Sequence, residues 1–168
     1  MNRNFKRCLI TGVGGSGGSY LAEHILKKSP STKIFGFYRS IGFSTYLKKK
    51  YKSKITLKKV DLRNYKELKK KLKITKPDVI FHLASNADVR NSFFEPIKFS
   101  ENNNMITINL LEALRQLNSK ALVIICSTSE VYGNVPSKDM PIKETQQIAP
   151  INPYAVTKVF QDLMSQVY

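Results

Sequence analysis

Between an apolar stretch at residues 7–11 and a helical pattern at residues 17–28 stands Thr11-Gly12-Val13-Gly14-Gly15-Ser16-Gly17-Gly18. A strand that passes through glycine directly into a helix leaves backbone N–H groups pointing outward at the helix start. Negative charge is stabilised there, and glycine lets a phosphate come close to the chain. Two registers fit. Gly12, Gly14 and Gly17 make G-x-G-x-x-G, while Gly12, Gly15 and Gly18 make G-x-x-G-x-x-G. After a first strand and before a helix, the cluster predicts dinucleotide binding, with Gly12, Gly15, Ser16, Gly17 and Gly18 around the pyrophosphate.

The rest of the chain alternates in the same way, as expected of a parallel sheet wrapped by helices. Strands are predicted at residues 33–38, 55–60, 79–83 and 121–127. The last is a continuous apolar run, expected to be buried on both faces. Helices are predicted over residues 64–73, from about 96 to 117, and from about Pro153 onward, proline suiting a first helical position. On the long helix Ile106, Leu110, Ala113, Leu114 and Leu117 share one face. Residues 133–153 hold Gly133 and four prolines and read as an ordered loop. Right-handed crossovers give a doubly wound α/β sheet of order 3-2-1-4-5 with helices on both faces. Ligands then bind at the carboxyl ends of the strands.

With 168 residues, 42% of them hydrophobic, the chain suffices for one domain, residues 1–168, and is too short for two of ordinary size. Its net charge is +16, and thirteen lysines fall between positions 48 and 76 against Asp61 and Glu67. In residues 64–73, however, Tyr65, Leu68 and Leu72 form one stripe, and lysines 66, 69, 70, 71 and 73 fill most of the other positions, which is how a solvated surface helix is built. No nucleic-acid motif accompanies the charge, so nucleic-acid binding is not expected; polyanionic small ligands would be attracted. Neither a membrane span nor a signal peptide is recognisable, and a cytoplasmic setting is expected. Cys8 and Cys126 lie in apolar runs without ligand spacing, predicting buried free thiols and no metal site.

Strand two ends Phe37-Tyr38-Arg39-Ser40, without the carboxylate that would suit a free ribose 2′-hydroxyl. A guanidinium pairs well with a 2′-phosphate, so Arg39 favours NADP over NAD. Asp61-Leu62 after strand three would flank the adenine, and Leu83-Ala84 after strand four would lie along the cofactor. Strand five runs into Ser127-Thr128-Ser129-Glu130-Val131-Tyr132-Gly133, and Tyr154 and Lys158 follow, four apart on one helix face. An ammonium beside a phenol makes tyrosinate available as a base near neutral pH. Thr128 can hydrogen-bond the same substrate hydroxyl.

At these residues the chain resembles the extended short-chain dehydrogenase/reductase family, whose cofactor domain is a Rossmann fold. Within it the chain is most similar to the GDP-mannose 4,6-dehydratases. The likeness rests on Thr11-Gly12 with Gly15 and Gly18-Ser19-Tyr20-Leu21-Ala22-Glu23, on Ser127-Thr128-Ser129-Glu130 with Tyr132-Gly133, and on Lys143-Glu144-Thr145 and Pro153-Tyr154 before Lys158. The resemblance implies that Thr128, Glu130, Tyr154 and Lys158 carry catalysis on a nucleotide sugar such as GDP-mannose. It implies that Tyr154 and Lys158 also touch the cofactor and that the protein is a homodimer.

Glu130 separates the reactions. A 4-epimerase only removes and returns a hydride, whereas a dehydratase must also take a C5 proton and protonate a departing C6 hydroxyl. UDP-glucuronate decarboxylases have a similar Thr-Ser-Glu-Val-Tyr-Gly stretch, so decarboxylation and epimerisation stay open beside dehydration. Members of the family continue beyond the Tyr/Lys helix into a C-terminal substrate domain that is absent from these 168 residues. A non-catalytic NADP-binding module is therefore a further alternative. The chain also departs from its relatives at Ser16-Gly17, where the dehydratases have larger or polar residues, and at Ile106, where many have glycine.

Overall fold

The computed structural model describes residues 5–40, 42, 47, 49–51 and 54–168. Among these, five parallel strands form one sheet: β1 (Arg7–Thr11), β2 (Lys33–Tyr38), β3 (Ile55–Lys59), β4 (Val79–His82) and β5 (Leu122–Ile125). Their order is β3-β2-β1-β4-β5, the predicted one, with helices around the sheet. Cys8 pairs with Ile34 on one side and Val79 on the other, and β4 pairs with β5 from Val79↔Leu122 to His82↔Ile125. The helices are α1 (Ser16–Lys28), α2 (Tyr65–Thr75), α3 (Val89–Phe94), α4 (Pro96–Gln116) and α5 (Pro153–Val167).

The chain divides into two compact units. The first, residues 1–84 and 109–126, contains the sheet. Its core gathers Cys8, Ile10, Val13, Ala22, Leu26, Ile34, Leu47, Ile55 and Val79. Each such aliphatic side chain contributes about 1.5–3 kcal/mol on full burial, so the alternation of apolar runs is enough to assemble this layer. Helix α2 buries Leu68 and Leu72 and turns its lysines outward, as its periodicity predicts. Asn64 caps it, the side chain accepting from Glu67 N at 3.1 Å, and Arg7 closes the other end by donating from Nε to Thr75 O at 2.7 Å. Asp78 fixes the start of β4 against β1, Oδ2 accepting from the backbone N–H groups of Lys6 and Arg7 at 2.9 and 2.8 Å.

The second unit, residues 85–108 and 127–168, holds α3, the first part of α4, two 3-10 turns (Ser129–Tyr132 and Ser137–Asp139) and α5. A buried polar network joins α4 to α5. Asn103 Nδ2 donates to Thr157 Oγ1 at 2.9 Å, and Gln161 Nε2 donates to Asn103 O at 3.0 Å and to Thr107 Oγ1 at 2.7 Å. The sequence pattern predicts one helix from about residue 96; a short one, α3, precedes it. Asp88 caps α3 by accepting from Asn91 N at 2.9 Å, and the chain leaves helical geometry at Glu95.

Two expectations are corrected. Strand β5 is shorter than residues 121–127 and is not buried on both faces: Leu122 and Ile124 are each 39% exposed. It is the outermost strand, paired only with β4 among the described residues, so its apolar run lacks the cover that an inner strand receives. Cys126, just past this strand, is exposed for the same reason, whereas Cys8 in central β1 is buried and its thiol is pushed up to about 12 by burial. Among the described residues no helix is long and apolar enough to cross a membrane, and no His/Cys/Asp/Glu cluster could hold a metal.

Candidate functional site

In the first unit the glycine cluster lies at the carboxyl end of β1. Gly12 has φ +72° and donates to Phe37 O at 2.9 Å, and Gly15 N donates back to Gly12 O at 3.0 Å, closing a tight turn. A Cβ on Gly12 would meet Ala84 N at 2.7 Å, and one on Gly18 would meet Gly12 O at 2.6 Å. Those two glycines are required by the fold itself. Gly15 and Gly17 differ, because a Cβ there would meet nothing closer than 3.5 and 3.6 Å. Packing within the protein does not require glycine at these two positions, and glycine there leaves the backbone open to close approach. Gly15 is also the N-cap of α1, no side chain caps it, and no acid stands in the first turn. The first N–H groups of α1 therefore have the geometry and polarity that suit a diphosphate.

The ends of the neighbouring strands complete this part. Ala84 N donates to Thr11 Oγ1 at 3.3 Å, and Thr11 Oγ1 lies 2.8 Å from His82 Nδ1, both side chains buried. Leu83 and Ala84 are thereby pinned beside Gly12. Val60 N donates to Tyr38 O at 2.9 Å, so Arg39 and Asp61 leave adjacent strand ends. The Arg63 guanidinium grips Asp61 from Nε at 3.0 Å and Nη2 at 2.6 Å. That hydrogen bonding, with the charges of Arg63 and Arg39, holds the Asp61 carboxyl below its usual range. Leu62 is buried, and Asn109 on α4 braces the turn, Nδ2 donating to Leu62 O at 2.9 Å and Arg63 O at 3.0 Å.

A cleft of about 830 Å³ opens at the opposite, amino end of the strands, between Phe5, Leu72, Leu114, Leu117 and Lys120. Its walls are the C-terminal ends of α2 and α4, with Lys73, Lys76 and Lys120 along them. None of the candidate residues lines it.

The second unit brings together the predicted catalytic set. Thr128 caps the first 3-10 turn, Oγ1 accepting from Glu130 N at 3.3 Å, which leaves its hydroxyl proton able to donate. Glu130 is half-buried on that turn. Tyr154 and Lys158 are 8% and 3% exposed on α5, and the Lys158 ammonium lies 5.9 Å from the centre of the Tyr154 ring. Such burial of a lysine and a phenol one turn apart is unusual for a surface helix and suits proton transfer.

Two contributors are absent from the sequence reading. Asn152 caps α5, Oδ1 accepting from Ala155 N at 2.8 Å, while its Nδ2 donates to Glu130 Oε2 at 2.8 Å. The signal available was an asparagine directly before a proline that opens a helix. Asn109 was legible only as a polar residue interrupting the apolar face of α4.

Comparison with known proteins places these features in context. A family model described as GDP-mannose 4,6 dehydratase matches residues 9–168. A GDP-mannose 4,6-dehydratase of Vibrio cholerae is 35% identical over 165 residues, 92% of this chain and 43% of that protein. The solved UDP-Glc/GlcNAc 4-epimerase from Campylobacter jejuni has a TM-score of 0.85 at 28% identity, covering 95% of this chain and 48% of that one. A UDP-glucose 4-epimerase from Brucella ovis, solved in complex with NAD, has a TM-score of 0.84 at 28% identity, covering 96% and 47%. The chain spans about half the length of the curated relatives it matches.

Proposed function

The chain belongs to the GDP-mannose 4,6 dehydratase family, and on that premise we propose that it is the dinucleotide-binding part, residues 1–168, of a cytoplasmic nucleotide-sugar 4,6-dehydratase that uses NADP. The observation that carries the reading is the acid in the second unit: Glu130 stands on the turn capped by Thr128 and is bonded to the residue that caps the helix of Tyr154 and Lys158. Hydride removal and return alone give such an acid no task.

In this reading Gly15 and Gly17 admit the cofactor diphosphate, Gly12 and Gly18 shape the turn, Arg39 meets the 2′-phosphate, and Leu62, Leu83 and Ala84 flank the bound group. Once bound, NADP would supply the redox chemistry, a hydride acceptor for C4 and a hydride donor for C6. Tyr154, assisted by Lys158, takes the 4-hydroxyl proton, and Thr128 orients that hydroxyl. Glu130 then removes the C5 proton; the C5–H electrons form the C5=C6 bond as the C6–O bond breaks. The proton leaves with the C6 hydroxyl as water, and C5 takes a new proton from solvent to complete the 4-keto-6-deoxy sugar. From GDP-mannose the product is GDP-4-keto-6-deoxymannose.

The exposed apolar side chains Ile97 and Met105 on α4 and Val156, Leu163 and Val167 on α5 support a homodimer in this reading. The 4-epimerases among the solved relatives support a second reading, epimerisation through the same Tyr154 and Lys158. Incubating the complete gene product with GDP-mannose in heavy water separates the two. Deuterium at C5 of a 4-keto-6-deoxy product is expected; a C4 epimer without loss of water would overturn dehydration.

A further inference from the structure

Helix α5 could be capped by several residue types, and the one present does more than cap. Serine, threonine or aspartate would serve Ala155 N as well as Asn152 does. None of them also carries an N–H donor able to hold a carboxylate while the acceptor end stays on the helix. Asn152 uses both ends of its amide, Oδ1 toward Ala155 N at 2.8 Å and Nδ2 toward Glu130 Oε2 at 2.8 Å, and it is 4% exposed. Twenty-two residues separate the partners along the chain, and the segment between them is tied back to the 3-10 turn by Ala149 N donating to Val131 O at 2.9 Å. The turn ends at Gly133, whose φ of +63° admits the Ala149 carbonyl where a Cβ would stand 2.1 Å from its oxygen. One side chain thus links the acid to the start of the helix that presents Tyr154 two residues later.

We propose that Asn152 is a positioning residue for the elimination step, resting on the dehydratase reading above. No other hydrogen bond to the Glu130 carboxylate is present among the described residues. With Oε2 held by the amide, Oε1 is the oxygen that takes the C5 proton and passes it to the departing C6 hydroxyl. A fixed cap keeps that carboxylate in register with the phenol. The cap alone explains neither the choice of asparagine nor the direction of its amide nitrogen.

The test compares Asn152→Ser and Asn152→Asp with the parent in the complete gene product, using GDP-mannose. Both variants keep a cap acceptor and neither carries the amide N–H: aspartate has no donor, and the serine hydroxyl stands one bond nearer the backbone than the Nδ2 that reaches Glu130. Formation of the 4-keto sugar is expected to fall roughly 10- to 100-fold in kcat, the usual loss for a hydrogen bond to a charged group, with KM little changed. C4 oxidation, which relies on Tyr154 and Lys158, should persist, so reduced nicotinamide accumulates and is seen by its near-ultraviolet absorbance. Thermal midpoints should match the parent. Elimination at the parental rate in Asn152→Ser would overturn the proposal. So would equal slowing of oxidation and elimination with a lowered midpoint, which marks a structural cap only. Glu130→Gln run alongside keeps the two ideas apart: if it dehydrates like the parent, the reading of Glu130 fails and the positioning role falls with it. A parent that forms no 4-keto sugar has the same consequence.

Discussion

Gly12 approaches Ala84 so closely that a Cβ on the glycine would stand 2.7 Å from the Ala84 backbone nitrogen, across the seam between β1 and β4. Gly12 also holds φ +72°. Replacing it with alanine combines a left-handed backbone penalty with an overlap that only backbone movement can relieve, together roughly 2–4 kcal/mol. Urea unfolding of Gly12→Ala should show this loss. Gly15→Ala, where nothing lies within 3.5 Å, should unfold within about 0.5 kcal/mol of the parent yet bind cofactor about tenfold more weakly. Equal stability of the two variants would refute the division between fold-required and ligand-required glycines.

Arg39 carries the prediction on cofactor choice. Beside it the one nearby carboxylate named by the sequence reading, Asp61, is engaged by Arg63 and so is poorly placed to repel a 2′-phosphate. NADP should therefore bind more tightly than NAD, and Arg39→Ala should weaken NADP by roughly 10- to 100-fold while changing NAD little. Calorimetric titration with both dinucleotides reads this directly. NAD binding as tight as NADP would remove the argument from Arg39.

How far these sites were legible in the sequence follows from the range of the interactions that build them. The glycine turn, the strand order and the lysine-covered face of α2 depend on local pattern, and each emerges where the pattern places it. Burial of Leu122, Ile124 and Cys126 depends instead on what lies next to β5, which no period in the chain reports. The bonds from Asn152 to Glu130 and from Asn109 to the Leu62 turn join residues far apart in sequence. Polar side chains of that kind look like ordinary caps or surface residues until the fold brings their partners.

A pH prediction rests on Glu23 of α1. Lys50 Nζ and Tyr51 OH at 3.0 Å and Lys27 Nζ at 3.1 Å converge on its Oε1. Led by the Lys50 hydrogen bond, they lower its pKa from 4.5 to about 2. A carboxyl depressed on folding contributes stability above its unfolded value and loses it as pH falls toward the folded one. The stability difference between the parent and Glu23→Gln should thus be constant above pH 4.5 and shrink toward about pH 2. A difference independent of pH across that window would contradict the assignment.

On α5, Val156, Leu163 and Val167 fall on one stripe and are 52%, 52% and 81% exposed, and Ile97 and Met105 on α4 are exposed as well. Exposed apolar side chains grouped on two helices in this way mark a contact surface. A dimer is expected by light scattering at micromolar concentration, and Leu163→Lys should give a monomer with an unchanged thermal midpoint. A parent that is already monomeric would count against the homodimer.

The sharpest prediction separates cofactor binding from turnover. The diphosphate turn, Arg39 and the Tyr154–Lys158 pair all lie within these 168 residues, so the chain should bind NADP by itself. The chain spans about half the length of the relatives it matches. In the proposed reaction, binding energy from the nucleotide end of the substrate must bring the sugar carbons to Tyr154 and Glu130, and remote contacts of this kind act on kcat as well as KM. Contacts supplied by the other half of such a protein would be lost here. Little or no 4-keto sugar is therefore expected from the 168-residue chain with GDP-mannose, while the complete gene product should form it and should lose elimination, but not NADP binding, in Glu130→Gln. The alkaline absorbance of the 4-keto sugar, measured for both lengths, decides the matter. Full activity from the short chain would show that the nucleotide end needs no further holding, and would move the source of specificity into the residues described here.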